Sequence, residues 1–135
     1  MLATGTNELS LYWTENYGAT PLIRRGTVRV DGFASVNAGF AGGEFVTKPL
    51  TFTGGKLVLN YSTSAIGSVR VELQDAAGKP LDGFKLADCP EIFGDETARA
   101  VAWQGSPSLA SLAGKPVRLR VVMKDADLFS FRFAD

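Results

Sequence analysis

Asp88, Glu91, Asp95 and Glu96 place four carboxylates around a single aromatic ring, Phe93, in a stretch punctuated by Pro90 and Gly94. Residues of these types support three kinds of chemistry. An exposed ring stacks on the C–H face of a pyranose while neighbouring carboxylates accept hydrogen bonds from its hydroxyls. A hard cation such as calcium collects six to eight oxygens from loops of this kind. A pair of carboxylates at the right separation could also cleave a glycosidic bond, although sequence spacing sets no such distance. The carbohydrate-binding candidates are Asp88, Glu91, Phe93 and Asp95, joined by two aromatics from elsewhere in the chain, Tyr12 and Trp103. The metal candidates are Asp125 and Asp127, just before the last strand. Neither acidic group has EF-hand spacing, and turn and capping hydrogen bonds account for isolated aspartates equally well.

The chain contains no histidine, so the commonest general base and metal ligand is missing and a serine nucleophile has no imidazole partner. A non-catalytic domain is therefore expected. Trp13 and Trp103 share parity with aliphatic neighbours and suit core or interface packing as well as a sugar platform. Cys89, the only cysteine, has no partner for an internal disulfide and reads as a small buried hydrophobe. Asn60-Tyr61-Ser62 matches a glycosylation sequon inside a strand, which points to a chance match. The glycines of 37–43 suggest a phosphate loop, but the next residues read as a strand and offer no helix N-terminus to hold an anion.

Fourteen basic and fourteen acidic side chains leave no net charge over 135 residues. Without a global field, neither nucleic acid nor an anionic membrane is an expected partner. The apolar runs are strand-sized and fall short of the roughly 20 residues of a membrane helix. Residues 1–7 lack the basic start and apolar centre of a secretion signal and read as linker, leaving 8–135 as one domain.

The elements that would position these residues are strands. Leu9, Leu11 and Trp13 alternate with Ser10, Tyr12 and Thr14, so Tyr12 is expected to face outward. Residues 22–31, 44–50, 56–63, 68–75, 98–104, 116–123 and 128–133 continue the pattern, with 79–86 as the return strand of a hairpin turned at 75–78. Residues 106–114 suit no more than about one helical turn. This pattern predicts an all-β fold, a two-layer antiparallel β-sandwich of the jelly-roll kind. Its expected core is Leu57, Leu59, Val69, Val71, Val117, Leu119, Val121, Phe129, Phe131 and Phe133.

Three strings carry a family resemblance: Gly26-Thr27-Val28-Arg29-Val30-Asp31-Gly32-Phe33-Ala34-Ser35, Ala113-Gly114-Lys115-Pro116-Val117-Arg118-Leu119-Arg120, and Lys124-Asp125-Ala126-Asp127-Leu128-Phe129-Ser130-Phe131. Together they resemble the C-terminal β-sandwich of bacterial proteins related to glycoside hydrolase family 32 and its five-bladed propeller relatives. Asn7-Glu8-Leu9-Ser10-Leu11-Tyr12-Trp13-Thr14-Glu15-Asn16-Tyr17 is similar to the junction with the preceding domain. The resemblance implies an accessory domain that binds carbohydrate or packs against an adjacent glycosidase domain. It also implies a secreted or periplasmic location if the parent degrades polysaccharide. It transfers no catalytic residue, because the propeller's acidic motifs are absent here.

Overall fold

Strict alternation makes the first strands. β1 (Leu2–Gly5), β2 (Glu8–Glu15) and β3 (Leu22–Arg29) form an antiparallel sheet in the order β1-β2-β3. β1 thus occupies part of the stretch expected to be linker. The structure is a computed structural model that describes every residue except Ala19 and Ser106. It divides into two compact units, Met1–Ala34 and Ser35–Asp135. β2 and β3, which the sequence assigns to the sandwich domain, lie in the first.

Directly opposed residues share a sheet face. Leu9 faces Val28 and Trp13 faces Arg24, while Ser10 faces Thr27 and Tyr12 faces Arg25. One face is therefore largely apolar and the other polar. On the polar face Arg25 donates to Glu8 Oε1 at 2.7 Å and to Ser10 Oγ at 2.9 Å. On the apolar face the Trp13 ring covers Gly26, where an added Cβ would meet it at 2.8 Å. Its Nε1 donates to Glu15 at 2.9 Å. No apolar side chain of this unit is buried among the described residues.

The second unit holds β4 (Val36–Ala38), β5 (Gly43–Val46), β6 (Lys56–Asp75), β7 (Asp95–Ala100) and β8 (Val117–Ala134). Its sheet runs β4-β8-β6-β7, with β5 also on β8. The sequence suggests separate strands at 56–63 and 68–75, and at 116–123 and 128–133; each pair is one long strand. β6 and β8 form a continuous antiparallel ribbon interrupted where Thr63 pairs with Ala126 and Ser68 with Lys124. At that interruption Asp125 takes φ +43°, and Gly67 presses on β8 so closely that any Cβ would collide with the Asp125 and Lys124 carbonyl oxygens. Both halves of the ribbon feed one core, with Leu57, Leu59, Tyr61 and Leu128 from one half and Val69, Val71, Leu73, Val117, Leu119 and Val121 from the other. The fold class is all-β, a sandwich of antiparallel strands, as the alternation requires.

Two irregularities shift the inward phase of β8. Odd positions 117–123 face the core, Ala126 and Leu128 take over after Asp125, and a second irregularity between Asn60 and Tyr61 restores odd parity at Phe131 and Phe133. Phe129, expected in the core, lies at this second shift, half-buried and outside the core cluster. Phe131 packs against the core but is only partly covered, while Phe133 stacks on Phe52 at 3.9 Å. Phe131→Ala is therefore expected to cost about 1–3 kcal/mol, below the figure for a fully buried ring. Urea denaturation measures it, and a loss above about 4 kcal/mol would mean the ring is fully enclosed.

The turn after β6 forms as its residues dictate: Asp75 Oδ1 accepts from the N–H groups of Ala77 and Lys79, both at 2.9 Å, and Gly78 supplies φ +90°. The return segment is not a regular strand. Proline at position 80 has no N–H to give a ladder and Gly83 turns left-handed at φ +82°. It keeps only scattered bonds to β6, among them Leu81 N–H to Leu73 O at 2.9 Å. Likewise 98–104 is a strand only up to Ala100, after which Val101 and Trp103 turn into the core. Leu109–Leu112 forms a short 3-10 turn within 106–114, where Ser106 lies outside the described residues.

Candidate functional site

Phe93 stands on a loop of the second unit that is hydrogen-bonded to β6. The inward phase of β6 buries Tyr61 completely, and a buried tyrosine hydroxyl needs a partner. It donates to Phe93 O at 2.8 Å and lies 3.3 Å from Glu96 Oε1. Two steps along, Thr63 Oγ1 accepts from Gly94 N–H at 2.9 Å and Thr63 N–H donates to Gly94 O at 2.8 Å. Beyond the ribbon's bend, Val69 and Ile92 exchange both backbone bonds, at 2.8 and 3.0 Å. Gly94 completes the corner at φ +114°, a conformation open to glycine and strained for other residues.

The outcome is a backbone fixed at Ile92, Phe93 and Gly94 that leaves the Phe93 ring 69 % exposed. Ile66, in the bend of β6, is also exposed. Burial first, and then the Glu96 charge, push the Tyr61 hydroxyl above its ordinary pKa, so it stays a proton donor.

The acidic residues separate into different jobs. Asp88 closes a 3-10 turn at Leu86–Asp88, its carboxylate accepting from Lys85 N–H at 3.3 Å. Glu91 is exposed beside the loop, and Asp95 opens β7 opposite Ser62. Glu96 pairs with Arg99 at 3.3 Å. Of the candidates in this stretch, Glu91, Phe93 and Asp95 are therefore the exposed members, while the Asp88 carboxylate is bonded to the backbone.

Trp103 cannot serve as a sugar platform. It is 4 % exposed, its Nε1 donates to Val71 O at 3.0 Å, and its ring meets Phe84 edge-on at 5.3 Å. The parity it shares with Val101 was the sign of this core position. Tyr12 is exposed on β2, as its parity requires, but it belongs to the first unit.

Asp127 ties β4 to β8, accepting from Ser35 Oγ at 2.7 Å and Asn37 Nδ2 at 3.1 Å. Asp125 sits at the bend, where its N–H donates to Gly39 O at 3.0 Å. Among the described residues no three of Asp, Glu or Cys converge on a point where a metal ion could sit, so calcium gains no geometric support. Nor does any buried side-chain nitrogen or oxygen among them lack a hydrogen-bond partner.

Cys89 is buried, accepts from Val71 N–H at 3.3 Å, and has its thiol pKa pushed up by burial, which fits a packing residue. Asn60 is buried inside β6 and closed to glycosylation. The residues that sequence reasoning missed are Tyr61 and Thr63, the clamp beneath Phe93. The available signal was a tyrosine in the inward phase of a strand, whose hydroxyl needs a partner once buried. Comparison with protein-family models, with curated proteins and with solved structures gave no match.

Proposed function

We propose that this chain is a non-catalytic carbohydrate-binding accessory domain of a glycoside hydrolase, with Phe93 as its stacking surface and Glu91 and Asp95 as hydroxyl acceptors. The observation that carries the reading is the clamp: an aromatic ring exposed to solvent on a backbone held by Tyr61, Thr63 and Val69. Fixing the backbone beforehand lowers the entropy lost when a ligand docks. The resemblance to sandwiches of family 32 relatives supplies the ligand class. Calorimetry against a panel of oligosaccharides tests it. Phe93→Ala is expected to abolish binding while costing under about 1 kcal/mol of stability, since an exposed ring contributes little to the core. Retention of full affinity by that variant, or no heat with any glycan, would sink the reading.

A second reading is favoured by a separate observation in Met1–Ala34. Leu2, Tyr12, Trp13, Tyr17, Ile23 and Phe33 are all exposed there, and exposed apolar side chains that gather on a surface mark an interaction site. On this reading the chain is a structural sandwich that packs against a catalytic propeller through these residues and touches no sugar. In the parent protein, Trp13 and Tyr17 would then be shielded from solvent. Fluorescence quenching of Trp13 by acrylamide, equal in the parent and in this chain, would rule it out.

A further inference from the structure

Among the described residues, every edge strand but one is short or broken. β1 has four residues and a register shift between Ala3 and Gly5, β4 and β5 have three and four, and β7 has six, opposite a shift between Leu59 and Tyr61. β3 is different. It ends the sheet of the first unit, pairs with β2 in unbroken register over eight residues, and contains no proline or lysine. Proline, lysine and bulges are the devices that keep an edge from pairing. The arginines that could replace them, Arg24 and Arg25, are drawn back across β2 to Glu15 at 3.1 Å and Glu8 at 2.7 Å. Val30 N–H bonds to Asn7 O on the β2 side at 3.1 Å, and backbone direction alternates along an antiparallel strand. Arg24, Gly26 and Val28 therefore turn their backbone groups to β2, while Ile23, Arg25 and Thr27 turn theirs outward.

We propose that this edge binds the β3 of a second copy of the chain, antiparallel about a two-fold axis at Gly26, so that two three-stranded sheets become one. Directly opposed residues share a sheet face, so the axis must pass through a residue position and not between two. Centring it on Arg24, Arg25 or Thr27 sets arginine against arginine. Centring it on Gly26 opposes Arg25 to Thr27 and Arg24 to Val28, and no arginine meets another. Gly26 also suits the axis, where opposed Cα atoms approach to about 4.5 Å, because the Trp13 ring already requires it to have no Cβ. The first unit gains from the added strands, since no apolar side chain in it is buried among the described residues and three strands are the lower limit for a sheet that stands alone.

Sedimentation equilibrium of the intact chain tests the pairing through Thr27, which is exposed and would face Arg25 of the second copy. Thr27→Arg sets like charges directly opposite, twice across the axis, and is expected to raise the dimer dissociation constant about 5-fold or more. Thr27→Glu is expected to lower it by a similar factor. A damaged sheet would weaken association in both variants, so opposite signs at one site separate pairing from misfolding. Amide exchange at Ile23, Arg25 and Thr27 should also slow as concentration rises, while exchange at Arg24, Gly26 and Val28, already bonded to β2, should change less. A chain that stays monomeric up to about 1 mM would overturn the proposal. So would a dimer that neither substitution shifts, or one that protects none of the three outward amides.

Discussion

Tyr61→Ala is expected to destabilise the sandwich unit by about 3–5 kcal/mol, the range for emptying a fully buried aromatic site. The ring is 0 % exposed in the core that both halves of the β6–β8 ribbon share. For a unit of this size each kcal/mol corresponds to roughly 4–8 °C in melting temperature, so thermal melts should shift by more than 10 °C. Tyr61→Phe separates packing from clamping. It keeps the ring and removes the hydroxyl that donates to Phe93 O, costing about 1–2 kcal/mol. It should also speed amide exchange at Ile92 and Gly94, whose N–H groups bond to Val69 and Thr63. A Tyr61→Ala loss under about 1 kcal/mol would show that the inward phase of β6 is misassigned.

Glu72→Ala should come next, at about 2–4 kcal/mol. Glu72 lies on the side of β6 away from the core, yet it is buried. Its carboxylate accepts from Gln74 Nε2 at 2.8 Å and from Leu86 N–H at 3.0 Å, and Arg120 stands 3.5 Å away. Arg120 is also held by Glu44 at 2.6 Å, so one charged network joins β5, β8 and β6 to the segment that leads into the Phe93 loop. Removing the carboxylate leaves these donors facing a void. Burial alone would raise the Glu72 pKa, but the bonds from Gln74 and Leu86 and the Arg120 charge outweigh it and hold the pKa below its ordinary value.

A carboxyl whose pKa is depressed by folding stabilises fully above its unfolded pKa of about 4.3 and loses that contribution as pH falls through the lower folded value. Acidification below about pH 4.3 should therefore lower the melting temperature of the wild-type chain. Glu72→Gln should start less stable and lose less over the same interval. Identical acid profiles for the two proteins would contradict the network.

Much of the fold was legible because alternation is a local property. Leu57, Leu59, Val69, Val71, Val117, Leu119 and Val121 show a two-residue period that only a half-buried strand satisfies, and all seven are core residues. The loop was legible too, since Pro90 and Gly94 break any regular element and leave Glu91 and Phe93 outside one, although Asp95 proves to open β7. The conformation at Asp75–Gly78 followed from the side-chain chemistry of Asp and the freedom of Gly.

What the sequence could not determine depends on partners distant along the chain. That Leu128 rather than Phe129 faces inward is set by the interruption at Asp125, and the return to odd positions at Phe131 by the irregularity opposite Asn60 and Tyr61, features of pairing between strands that single-strand periodicity does not contain. The joining of 56–63 with 68–75 into one bent strand required the contact of Gly67 with Asp125. Trp103 was ambiguous in sequence, because a tryptophan suits a surface or a core; Val71 O and Phe84 decided it. The sequence by itself determined the strands, the phase of most of their side chains and the loop that carries Phe93. Only the tertiary structure decided that Tyr61 and Thr63 hold that loop from beneath, because a hydrogen bond spanning some thirty residues exists only once β6 has brought its ends together.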